Sequence, residues 1–147
     1  MKKSKLNSLK RITFIGVLVS TLLFSFSSCA VKKSFMDSPV VPAAEGMVKV
    51  KRDKNMNYNI QVSVTGLAEV ERLQTNKNNY VVWMITDQGR TENLGQFKIS
   101  NNMFSKNLQA SIETSSSYKP SKIFITAEIN TDVMSPSEEI ILTTDSF

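Results

Sequence analysis

An antiparallel β sandwich of about seven strands is the fold predicted for positions 46–147 of this 147-residue chain, and three observations carry the prediction. Apolar and polar residues alternate with a period of two over several short runs. Segments rich in Asn, Asp, Ser, Gly and Pro separate those runs. No long amphipathic helix interrupts them, so the apolar faces have only one another to pack against. An immunoglobulin-like topology is compatible with this strand count, and a small closed barrel is the alternative architecture. Alternation alone leaves the order of pairing open.

The elements follow in chain order. Residues 47–51 (MVKVK) alternate with valines on one face, and residues 57–65 (NYNIQVSVT) place four apolar side chains between five polar ones. The polar stretch between these runs suits a hairpin. Gly66 ends the second run, and Leu67, Val70 and Leu73, three apart, suggest a short helical turn or ordered loop. Residues 80–85 (YVVWMI) are apolar at every position, as a central strand covered on both faces would be. Residues 93–99 (NLGQFKI) read as one further strand in which Gly95 marks a bulge or close backbone approach. Residues 108–113, 122–129 and 139–143 complete the set. Trp83, the only tryptophan, is expected to be the largest plug in the core, and Tyr58 and Tyr80 are expected in the core or at its rim.

The chain ahead of this domain carries a different signal. Lys2, Lys3, Lys5, Lys10 and Arg11 precede an uncharged 17-residue run, ITFIGVLVSTLLFSFSS, which ends immediately before Cys29. A basic segment, an apolar stretch and small residues form the layout of a secretory signal peptide. A spanning helix needs about 20 predominantly apolar residues, and this shorter run contains four serines, two threonines and a glycine. The stretch Phe26-Ser27-Ser28-Cys29 resembles the lipobox of bacterial lipoproteins, with Phe26 standing where leucine is commonest. That resemblance implies lipid attachment at Cys29 and cleavage after Ser28, giving a leader of residues 1–28. Residues 30–45 (AVKKSFMDSPVVPAAE) read as a tether reaching roughly 20–25 Å. Within it, Val40 and Val41 are candidates to pack on the fold as an edge.

Composition then excludes several function classes. The formal charge of +5 suggests an acidic partner, but five of the 18 basic residues lie before Cys29. The 13 that remain balance 13 acidic residues, which leaves no basic field for nucleic acid. The chain has no histidine to activate a thiol or hydroxyl and one cysteine, so neither a Cys–His site nor an internal disulfide is available. The methionines are scattered, which favours packing over Cu(I) ligation. Glu138 and Glu139 are adjacent and would face opposite ways on a strand, unlike a glycosidase pair. Glu128 falls on the polar face of its strand, and the loop TSSSYKPS offers hydroxyls with only Lys119 or Lys122 as conceivable bases. No phosphate loop, Cys/His metal spacing or acidic Ca²⁺ loop is present, and no cofactor is expected.

Gly46…Val48…Val50, Gly66-Leu67, Tyr80-Val81-Val82-Trp83, Leu94-Gly95-Gln96-Phe97, Ile125-Thr126-Ala127-Glu128 and Ser135-Pro136 occur in an order and spacing that resemble the extracytoplasmic C-terminal domain of anti-sigma-K factors. The resemblance covers roughly residues 45–144 and implies a β sandwich. In that family a cytoplasmic segment holds the sigma factor and a membrane helix joins it to the outer domain. Here a cleavable signal precedes the domain, so sigma-factor binding is not carried over, and the family has no catalytic residue to transfer. The expectation is a non-enzymatic lipoprotein of the cell envelope whose sandwich binds or organises an envelope protein or glycan. An envelope-polymer hydrolase and a fibre or adhesin subunit are the alternatives. The favoured location is the outer membrane, facing the periplasm, with surface display as the other possibility.

Overall fold

The computed structural model describes residues 30–147 apart from 71, 72, 74, 75 and 101–107. Cys29 and residues 1–28, expected as a leader, therefore lie outside the described residues. Nine strands are present: β1 (Val31–Ser34), β2 (Glu45–Arg52), β3 (Tyr58–Leu67), β4 (Asn79–Thr86), β5 (Thr91–Gln96), β6 (Lys98–Ser100), β7 (Leu108–Ser116), β8 (Pro120–Glu128) and β9 (Ile140–Thr143). They form two antiparallel sheets ordered β1-β2-β3-β7-β6 and β5-β4-β8-β9. Lettering β2 to β9 as A, B, C, C′, D, E, F and G turns these orders into ABED and C′CFG. That is the immunoglobulin-like arrangement, with β1 added outside strand A.

The alternation in the sequence becomes the packing between the sheets. Val48, Val50, Ile60, Val62 and Val64 from one sheet meet Val82, Met84, Ile123, Ile125 and Leu142 from the other, all buried. Leu67, Val70 and Leu73, spaced by three, close the end of this core, and the Leu73 amide donates to the Val70 carbonyl. The run Tyr80–Ile85 is covered on both sides, as a continuous apolar strand requires. Tyr80, Val82 and Met84 point into the main core, whereas Val81 and Trp83 belong to a second cluster with Phe124.

Two departures from the sequence reading account for the count of nine. First, the presumed tether is part of the fold. β1 pairs along β2 from Val31↔Val50 to Ser34↔Met47, and Ser38, Val41 and Ala44 are buried. After β1 the chain crosses between the sheets: the Phe35 amide donates to Gly46 O of one sheet, the Met36 amide to Thr143 O of the other, and the Ser38 hydroxyl to Ile141 O. Two prolines and a lack of alternation suggested a loose linker, but four residues are enough to pair an edge, and such a short strand shows little period. Second, residues 93–99 do not form one strand. β5 pairs with β4, Phe97 turns inward, and β6 pairs with β7 in the opposite sheet. Gly95, at φ +108°, sits where the β4–β5 register shifts, so the bulge suggested by the glycine is there.

The connections at the two ends of the sandwich differ. The turns 53–57, 87–90 and 117–119 gather at one end, while the 11-residue connections 68–78 and 129–139 lie at the other. The short-turn end is also where β1 begins, because Val31 pairs with Val50 and Val50 with Ile60 near the β2–β3 hairpin. Arg90 in one of these turns lies 4.1 Å from the centroid of the Tyr118 ring in another. Hydrogen bonding and charge attraction to Tyr118 raise the Arg90 pKa above its ordinary value.

Candidate functional site: the strap at the long-loop end

Residues 129–139 connect β8 to β9 by returning across the outer face of the β5-β4-β8-β9 sheet. This strap covers apolar side chains that would otherwise face water. Val81 and Trp83 are fully buried, Phe124 stacks on Trp83 with ring centroids 6.3 Å apart, and Val133 packs onto them from the strap. Trp83 and Phe124 are directly paired across β4 and β8, where large cross-strand side chains stabilise a sheet. Trp83 is thus buried as expected, but on the outer face of its sheet and not between the two sheets.

A chain of hydrogen bonds lies beneath the strap. Trp83 Nε1 donates to Thr126 Oγ1 at 2.8 Å, and the Thr126 hydroxyl donates to Glu128 Oε1 at 2.6 Å. The Ser137 amide donates to the same carboxylate oxygen at 2.8 Å, and the Ser137 hydroxyl donates to Ala127 O. Glu128, expected on a solvated face, is 5% exposed, because the strap folds over that face. The strap needs an acceptor for its own backbone, and the carboxylate supplies one.

Asn79 and Asn93 hold the strap from the neighbouring strands. Asn79 Nδ2 donates to Ile129 O, and Asn93 Nδ2 to both Thr131 O and Val133 O, at 2.9 and 3.0 Å. Asn93 Oδ1 meanwhile accepts from the Gly95 amide at 2.8 Å, so one side chain ties the β5 bulge to the strap. Asn93→Ala is expected to cost about 0.5–1.5 kcal/mol, since it removes three hydrogen bonds at an exposed site where water can take the place of the lost partner. Amide exchange across residues 130–138 should then accelerate, and unchanged exchange there would show that Asn93 does not hold the strap.

Two shallow depressions flank the strap tip. One, of about 480 Å³, is lined by Asn79, Gln96, Asn130, Thr131, Asp132 and Val133. The other, of about 470 Å³, shares Gln96 and residues 131–133 and adds Asn93, Leu94, Gly95 and Met134. Met134 stands 94% exposed at this rim, and Ile129 is also exposed. Amides and a hydroxyl beside a flexible thioether can hydrogen-bond and pack against a polar, uncharged surface. Asp132 is the one carboxylate in these linings, so a paired acid–base arrangement is not assembled here.

The other candidates are placed as follows. Tyr80 is buried and its hydroxyl donates to Ala68 O, while Tyr58 is half-buried with the Arg52 guanidinium over its ring. Glu138 and Glu139 are exposed just before β9. Lys119 is exposed and Lys122 half-buried. Among the described residues no cluster of three or more His, Cys, Asp or Glu could hold a metal, and no helix is long and apolar enough to cross a membrane. Asn79, Asn93, Gln96 and the strap were not singled out by sequence, since "NTDVMSPS" has the composition of any solvated loop. Comparisons with protein families, with curated proteins and with solved structures find no match for this chain.

Proposed function

We propose that this protein is a lipid-anchored lipoprotein of the cell envelope, and that its sandwich is a non-enzymatic binding module. In this reading the long-loop end carries the recognition surface. The observation that carries it is the polarity of the domain. Cys29 precedes β1, which starts at the short-turn end, whereas the strap, its depressions and exposed Met134 occupy the other end. A lipid on Cys29 would hold the short turns towards the bilayer and present the strap away from it. Immunoglobulin-like variable domains likewise use their B–C and F–G loops for recognition, an analogy of fold alone. The resemblance to anti-sigma-K outer domains suggests an envelope component as the partner, protein or glycan. The fibre-subunit alternative is disfavoured because the β1–Met36 segment ties one sheet edge to β9 and the β5–β6 crossover turns the opposite corner. The outer membrane, periplasm-facing, remains the favoured location.

The test uses the full chain with its own leader in a bacterial host. Labelled palmitate should enter the wild-type chain and not Cys29→Ala, and intact mass should place the mature start at residue 29. An unlabelled wild-type chain would remove the anchor. Crosslinking in intact cells should recover one reproducible partner, weakened by strap substitutions at Asn130 and Asp132. Recovery unaffected by those changes would move recognition away from the strap.

A further inference from the structure

The sheet face beside the start of β1 carries a cluster of exposed lysines. Register places Lys32 directly opposite Lys49, and the outward positions of β2 continue with Lys51. All three are exposed. Lysines directly opposite each other on an antiparallel pair repel. Among the described residues none of these three takes part in an ion pair. The carboxylates on this face lie away from the three lysines: Glu113 is two strands over on β7, and Glu45, with Asp37 beside it, is at the far end of β2. Lys54 extends the positive charge into the β2–β3 hairpin, where Asp53 accepts from the turn amides of Asn55 and Asn57. That turn holds Met56 at φ +66° and 65% exposed, and Val31 is 49% exposed at the same end.

Edge lysines on β1 alone would be explained as protection against edge-to-edge pairing. Lys49 and Lys51 sit on β2, an interior strand, and need another account. Chain length supplies it. Ala30 alone separates Cys29 from β1, and two residue steps span at most about 7 Å. The 16-residue spacer suggested by sequence does not exist, so an acyl chain on Cys29 would leave the start of β1 within reach of lipid headgroups.

We propose that the face formed by Lys32, Lys49 and Lys51, with the Met56 hairpin, docks on anionic phospholipid headgroups and fixes the orientation of the anchored domain. This rests on lipid attachment at Cys29. Basic side chains near an anionic leaflet add to an acyl anchor, and the attraction fades within a Debye length. Lysines clustered at the anchor end satisfy that distance.

The lipidated full-length product, its lipid first verified by intact mass, is reconstituted into phosphatidylcholine vesicles with or without about 30% phosphatidylglycerol, a fraction chosen to give a strongly negative surface. Acetylation of Lys32, Lys49 and Lys51 should slow about threefold or more on the anionic vesicles, and high salt should reverse the effect. Lys77, at the long-loop end, serves as the internal reference and should not change. In K32Q/K49Q/K51Q the lipid still holds the protein, but the anionic protection of Lys54 should be lost. A product without lipid mass overturns the anchor and the docking together. A lipidated product whose lysines react equally on both vesicle types overturns the docking alone.

Discussion

Trp83→Ala should lower stability by about 3–5 kcal/mol, the cost typical of removing a large aromatic side chain from a packed site. For a domain of this size that is a fall of more than roughly 10 °C in the melting midpoint. Two losses combine. The indole is fully buried and stacks on Phe124, so its removal leaves a void between the β4–β8 face and the strap. Thr126 Oγ1 also loses the donor at 2.8 Å, although it still donates to Glu128. Trp83→Phe is the milder change. It keeps most of the apolar area but removes the N–H together with part of the ring volume, so a smaller cost of about 1–3 kcal/mol is expected. Because the damage lies under the strap, exchange of residues 130–138 should accelerate in the alanine variant before the core strands β3 and β7 respond. An unchanged melting midpoint for Trp83→Ala would mean that the strap does not pack as described.

Gly66→Ala should be comparably severe for a different reason. Gly66 has φ +72°, and a Cβ there would lie 2.0 Å from the Ala43 carbonyl oxygen and 2.9 Å from its carbon. A backbone clash is not relieved by rotating a side chain. The segment that crosses between the sheets would have to move, and with it buried Val41 and Ala44. The left-handed conformation adds about 1–2 kcal/mol, so a total of about 3 kcal/mol or more is expected. Gly89 provides the comparison. Its φ is +76°, but nothing lies within 4 Å of its added Cβ, so Gly89→Ala should cost only the conformational part, about 1–2 kcal/mol. Denaturant midpoints of the two variants at unchanged m-value measure the difference. Equal losses would show that the approach of Ala43 to Gly66 does not matter.

Alternation makes the sandwich legible in the amino-acid sequence. Val48 and Val50, the series Ile60–Val62–Val64, and Ile123–Ile125–Ala127 all face the main core, as a period of two demands. The uninterrupted apolar run at β4 correctly implies cover on both faces, and Gly95 correctly marks an irregularity in pairing. The candidate site is far less legible. Asn93 looks like one more polar residue on a strand, yet it ties two loop carbonyls and a bulge amide together. Glu128 looks solvated by alternation, and it is buried because a segment remote from any period returns over it.

Local pattern by itself therefore determined the β class, most strand positions and which side chains fill the inter-sheet core. It could do so because burial of one face imposes a period of two on each strand independently. Tertiary structure alone decided the immunoglobulin-like strand order, the pairing of residues 31–35 with the sheets, the burial of Ser38, Val41 and Ala44, and the cover over Trp83 and Glu128. Those features depend on segments far apart in the chain meeting in space, and their energies come from pairings and closures that no local periodicity encodes.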